Sequence, residues 1–130
     1  NVNEVNKLLD YAAIHLETEE RYIIVSVSGE KKKVNYDDIL YFESMGHYIT
    51  VHLEQEEFEY KYNISTLCQE LVGTEFVRTH RSYVVNVTYI EKITRSECQL
   101  IHNIKVPLSR SSYKAVNEKF INYYKGKGAQ

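Results

Sequence analysis

The alternation of apolar and polar positions predicts a chain made mostly of strands. Tyr22–Ser28 (YIIVSVS) is rich in β-branched residues and stops at a Gly29-Glu30 turn, after which Lys31–Tyr36 begins a second strand. Ile39–Glu43 (ILYFE) is an apolar run, and Ser44-Met45-Gly46-His47 follows as a loop punctuated by glycine. Tyr48–Leu53 alternates strictly, with Tyr48, Thr50 and His52 on one face and Ile49, Val51 and Leu53 on the other. Glu54–Glu57 reads as a turn, and Phe58–Tyr62 returns as the partner of a hairpin. Phe76–His80, Tyr83–Val85, Tyr89–Thr94, Cys98–His102 and Ile104–Val106 complete the strands, with turns at Arg95-Ser96-Glu97 and His102-Asn103.

Helical spacing occurs in three places. Residues 4–16 put Val5, Leu8, Leu9, Ala12 and Leu16 on one face. A short helix begins near Ser65 as N-cap, buries Leu67, Leu71 and Val72, and ends at Gly73. A C-terminal helix over Ser112–Tyr124, capped by Ser109 or Ser111, buries Val116, Phe120 and Tyr123 or Tyr124. The expected fold is therefore mainly β, with antiparallel sheets, a short mid-chain helix and terminal helices. Residues 1–20 are expected to be a linker with an N-terminal helix, 21–125 the domain proper, and 126–130 a flexible tail. The chain begins without Met, so a fragment of a longer protein is expected.

Composition sets wide bounds. The chain has 130 residues, enough for one domain with a core independent of metals or disulfides. Its 12 tyrosines reinforce the strand reading, and with one proline and no low-complexity run only the tail is expected to be disordered. Cys68 and Cys98 stand apart with no metal-type spacing, so two buried free thiols in a reducing cytoplasm are expected. No apolar run is long enough to suggest a membrane span.

Charge changes the picture more. The net charge is −2, but residues 1–77 carry 6 basic and 15 acidic side chains (net −9), and residues 78–130 carry 10 basic and 3 acidic (net +7). Such asymmetry points to a polyanion partner for one region, because phosphate binding depends on local cations more than on the total. The acidic stretch Glu54–Glu59 should then lie away from the interface. Lys31-Lys32-Lys33 reads as a solvated edge-strand guard.

Three polar segments are candidates for chemistry. His47, after Gly46 at a loop tip, suits a contact to a base or phosphate, although spacing alone fits a solvated turn residue as well. Arg78-Thr79-His80-Arg81-Ser82 interrupts two apolar strands; Arg78, His80 and Ser82 share one parity, Thr79 and Arg81 the other. A guanidinium there offers a fork to phosphate or guanine, or packs along the surface; His80 suits a structural role bonded to backbone. Ser109-Arg110-Ser111-Ser112-Tyr113-Lys114 opens the last helix, with Arg110 and Lys114 on one face near free N–H groups, or as ordinary solvated cap charges. No phosphate loop, zinc-protease string, nucleophile elbow or dinucleotide fingerprint occurs, so no catalytic residues, metal or cofactor are expected.

These segments carry a family likeness. FESMGHYITV (Phe42–Val51), FVRTHRSYVVNVTYIEKI (Phe76–Ile93) and VPLSRSSYKAV (Val106–Val116) resemble, in order, the LytTR DNA-binding domain of bacterial response regulators. The resemblance spans about Lys31 to Tyr124. It implies an elongated β-β-β sandwich whose loops enter successive major grooves, in place of a recognition helix. It also implies double-stranded DNA with promoter direct repeats as the partner, a homodimer in the full-length protein, attachment to a receiver domain, and no membrane or small-molecule substrate. Under it His47, Arg110 and Arg81 fall at base-contacting positions. Arg78, Ser82 and Lys114 fall where phosphate contacts are expected, and His80, Tyr83, Val84, Val85 and Asn86 at scaffold positions. From the residues alone, a protein-interaction module whose basic face docks an acidic partner is the rival.

Overall fold

The computed structural model describes residues 21–128, so the helix expected over 4–16 lies outside the described residues. Ten strands and two helices follow in order: β1 (Tyr22–Val27), β2 (Glu30–Asn35), β3 (Ile39–Met45), β4 (Tyr48–Leu53), β5 (Glu57–Lys61), α1 (Ile64–Glu70), β6 (Phe76–His80), β7 (Tyr83–Asn86), β8 (Ile90–Ile93), β9 (Glu97–Leu100), β10 (Lys105–Pro107) and α2 (Tyr113–Gly128). Single turns of 3-10 helix sit at Tyr36–Asp38, Val87–Tyr89, Ile101–Asn103 and Arg110–Ser112.

The strands form three antiparallel sheets: β1-β2, a central β5-β4-β3-β7-β6, and β10-β9-β8. The alternation read in the sequence explains how they pack. On one face of the central sheet Phe42, Ile49, Val51, Tyr60, Phe76 and Val84 meet Val25 and Val34 of β1-β2 and Leu67 and Leu71 of α1. On the other, Val85 meets Ile90, Cys98, Leu100 and Val106 of the third sheet and Val116 of α2. A register shift between Ile39 and Tyr41 turns both Leu40 and Tyr41 toward this second cluster. The fold is thus mainly β, as expected.

Buried Asn86 joins the layers at a corner. Its side-chain amide donates to the Ile39 carbonyl at 2.9 Å, and its Oδ1 accepts from the Thr88 N–H at 3.0 Å and hydroxyl at 2.7 Å. A buried polar group with this many partners fixes the departure of the chain from β7.

Several boundaries differ from expectation for local reasons. β3 runs through Ser44 to Met45, so the expected four-residue loop shrinks to a Gly46-His47 turn closed by the pair Met45–Tyr48. Gly46 holds φ +60, a conformation that glycine adopts without penalty. The first turn is Ser28-Gly29, one residue early, with both residues at positive φ. Asn63, not Ser65, caps α1: its side chain accepts from the Thr66 N–H at 3.0 Å. Leu71 is the C-cap, and Gly73 takes φ +86 two residues beyond the cap. Neither Ser109 nor Ser111 caps α2. A 3-10 turn intervenes, and the Ser109 hydroxyl bonds to the Ser112 hydroxyl at 3.0 Å. α2 itself continues past Tyr124 to Gly128. Cys98 is buried and Cys68 half-buried, and both are free thiols.

Candidate nucleic-acid interface

β3 ends, β4 begins and β5 ends at one edge of the central sheet, because Met45 pairs with Tyr48 and Tyr48 with Lys61. β7 pairs antiparallel with β3, Glu43 facing Tyr83, so the β6–β7 turn Arg81-Ser82 emerges at the same end. The Ser44 N–H donates to the Ser82 carbonyl at 2.8 Å, tying the His47 hairpin to the Arg81 turn. The Ser109 N–H donates to the Thr79 carbonyl at 2.8 Å, tying the Arg110 turn to β6. Two backbone hydrogen bonds thus bring segments distant in sequence onto one end of the molecule.

The side chains there divide into free and braced. His47, Arg81, Arg110 and Lys114 are exposed, and their side chains have no polar partner among the described residues. Arg78 differs. Its Nη2 donates to the Arg81 carbonyl at 2.6 Å and its Nε to the His80 carbonyl at 3.4 Å, so this guanidinium braces the turn that presents Arg81. The parity read from sequence misses this because a register shift between Arg78 and His80 breaks the alternation. Thr79, at the shift, is fully buried, and its hydroxyl has no partner among the described residues. The structural reading of His80 holds: its Nδ1 accepts from the Ser82 N–H at 3.1 Å, which leaves Nε2 as the protonated nitrogen of the neutral ring.

Arg78, His80, Arg81, Ser109, Ser111 and Ser112 line a cleft of about 400 Å³. The central and terminal polar segments therefore form one concavity walled by hydroxyls and guanidinium groups. A second cleft of about 300 Å³ holds His47, Lys61, Tyr62 and Asn63. Lys61 is an exposed cation beside His47 that the sequence reading passed over; its signal was the β4–β5 hairpin register, which places it opposite Tyr48.

Negative charge at this end is tied down. Glu43 accepts the Tyr83 hydroxyl at 3.0 Å on one oxygen and faces His52 Nε2 at 3.1 Å with the other. Burial, then that bond to Glu43, raises the Tyr83 phenol above its ordinary pKa. Burial with the nearby Glu43 charge pushes Tyr41, stacked on His52, up to about 12, so both phenols stay neutral. Glu70 accepts the Tyr62 hydroxyl at 2.5 Å.

The opposite end of the sheet carries the acid. Asp37 and Asp38 precede β3; Glu54 and Glu56 lie in the β4–β5 turn and Glu57 opens β5; Glu75 precedes β6. Glu54, Glu56 and Glu57 thus stand at the end away from Arg81 and Arg110, while Glu59 lies further along β5 toward Lys61. Arg21 bridges Asp37 at 3.2 Å and Glu75 at 2.5 Å, and His102 meets Glu54 at 2.6 Å. Among the described residues no group of three acidic, His or Cys side chains could hold a metal, and no helix is long and apolar enough to cross a membrane.

Accessory gene regulator protein A of Staphylococcus aureus (strain N315) is 39% identical over 66 residues, which is 49% of this chain and 27% of that protein. The Staphylococcus epidermidis protein of the same name (strain ATCC 12228) is 38% identical over a stretch of the same length. The matched stretch is about a quarter of these relatives' length. In fold, the chain resembles the LytTr DNA-binding domain of a methyl-accepting/DNA response regulator from Bacillus cereus, with a TM-score of 0.67 at 23% identity, over 78% of this chain and 97% of that one. The family model for the LytTr DNA-binding domain matches residues 29–121, and the chain belongs to that family.

Proposed function

We propose that this chain is the sequence-reading output domain of a bacterial transcription regulator, acting on double-stranded DNA. The observation that carries the reading is the gathering of His47, Arg81 and Arg110 at one end of one sheet, with Asp37, Asp38, Glu54, Glu56 and Glu75 at the other. In this reading the Gly46-His47 tip and the Arg110 turn enter neighbouring major grooves, where imidazole and guanidinium donate to base acceptors. Arg81 lies between them and contacts a base or the backbone. Ser82 and Lys114 hold phosphates, and Arg78 serves the same contact by bracing the turn. Direct-repeat sites, a homodimer of the full-length protein and control by an attached receiver domain belong to the same proposal. Nothing in the reading calls for catalysis, a cofactor or a small-molecule substrate, and two free thiols suit a cytoplasmic protein.

The test is selection of duplexes from a random pool, followed by a gel-shift assay at fixed salt. The chain should enrich one site, and His47→Ala and Arg110→Ala should each lower affinity for it by roughly 5- to 150-fold, the range for 1–3 kcal/mol per good base contact. Thermal unfolding should be unchanged, because both side chains are exposed. No enrichment, with no binding to random duplex even at low salt, would sink the reading and favour a protein partner.

A further inference from the structure

The two hairpins at opposite ends of the central sheet differ in an unexpected way. The far turn, Glu54-Gln55-Glu56, is wholly polar, as solvated turns are. The near turn is flanked by two large apolar side chains, Met45 and Tyr48, which are 64% and 47% exposed. A single exposed apolar residue needs no explanation. Here two face each other across the strands as the pair closing the Gly46-His47 turn, on one face of the sheet. They lie outside both core clusters, so neither fold nor core accounts for them.

We propose, resting on the DNA-reading function above, that Met45 is a second specificity residue that reads the 5-methyl groups of thymine next to the base contacted by His47. The major groove shows one apolar feature, the thymine methyl, and a flexible thioether side chain suits contact with it. Tyr48 is the cross-strand partner of Met45 and shares its face of the sheet. His47 supplies the polar contact and Met45 the apolar one from adjacent positions of a single turn. The site should therefore carry thymine at one or two positions flanking the His47 base.

The probe is the duplex selected by the 130-residue chain, with each thymine replaced in turn by deoxyuridine, which keeps the base pairing and removes only the methyl group. Replacement beside the His47 base should weaken wild-type binding about fourfold per methyl, the value of burying one such group. Met45→Ala should weaken binding to the unmodified duplex by a similar factor and then be indifferent to deoxyuridine at those positions. Met45→Leu should restore both affinity and methyl sensitivity. If wild type ignores every replacement, or Met45→Ala stays equally sensitive, the proposal is overturned while His47→Ala still reports on DNA reading. If Met45→Ala instead abolishes a dimer of the free chain in sedimentation and leaves the methyl response intact, the apolar pair belongs to a contact between copies and the proposal is again overturned. Failure to select any duplex removes the underlying function and this inference with it.

Discussion

The central sheet has two ends built from the same parts, and they behave oppositely. Each has a tight hairpin, β3–β4 at one and β4–β5 at the other, and each has a chain segment packed beside it. At the acidic end the carboxylates meet partners: Arg21 pairs with Asp37 and Glu75, and the His102 ring meets Glu54. At the basic end Arg81, Arg110 and Lys114 have no polar partner among the described residues while Arg78 braces a turn, and the nearby carboxylates are held, Glu43 by Tyr83 and His52 and Glu70 by Tyr62. Net charge conceals this, because the excess acid and the available base occupy different ends. Unpaired cations on hairpin tips suit a polyanion, since phosphate contacts release counterions one by one.

Reversing the polarity of the basic end should have the largest effect. Arg81→Glu replaces a free guanidinium with a carboxylate beside the expected phosphates. Like-charge juxtaposition costs several kcal/mol, so affinity should fall on the order of a hundredfold or more at about 0.1 M salt. Arg81→Ala should cost less, and reselection with that variant separates the two roles left open: relaxed preference at one position means a base contact, unchanged preference a phosphate.

Arg78 tests the distinction between free and braced cations. Its bonds to two turn carbonyls need a guanidinium fork. Arg78→Lys keeps the charge but not the fork, so it should lose about as much affinity as Arg78→Ala, roughly 3- to 10-fold, in line with about 1 kcal/mol for a lost hydrogen bond. Rescue by lysine would instead make Arg78 a point-charge phosphate contact.

How much of this was legible follows from the range of the causes. The β4 alternation and the free thiols are written in local pattern, and the structure keeps them. The helix cap moved from Ser65 to Asn63 because both residues are good caps and only the entering β5 strand decides between them. Single 3-10 turns leave no periodicity, so the turn before α2 was invisible. The three site segments were readable one by one, but their assembly rests on the Ser44–Ser82 and Thr79–Ser109 bonds, which join positions far apart in sequence. Lys61 was missed because a lone lysine ending a strand carries no signal until the hairpin register sets it beside His47.

Lys114 makes a smaller prediction. Exposed on α2 and without a partner among the described residues, it should act only through charge. Lys114→Ala should weaken binding to all duplexes alike and make the slope of log affinity against log salt shallower by about 0.9, the value of one phosphate contact. A change in sequence preference would instead mean that it reaches a base.

The smallest effect should come from the acidic end. Asp38→Lys with Glu56→Lys changes two side chains that have no ion-pair partner among the described residues. β4, six residues from Tyr48 to Leu53, separates the hairpins by roughly 17 Å at about 3.4 Å per residue. The screening length is about 10 Å at 0.1 M salt, so added positive charge there is mostly hidden from DNA held at the other end. Affinity should change less than about twofold under those conditions. At about 0.01 M salt the screening length grows to about 30 Å, which exceeds the strand, and the same variant should bind more tightly than wild type. This salt-dependent appearance of the effect is the signature of charge acting through distance. A large gain already at 0.1 M salt would mean that DNA runs past the acidic end, and the contrast between the two ends would then fail as an account of where it binds.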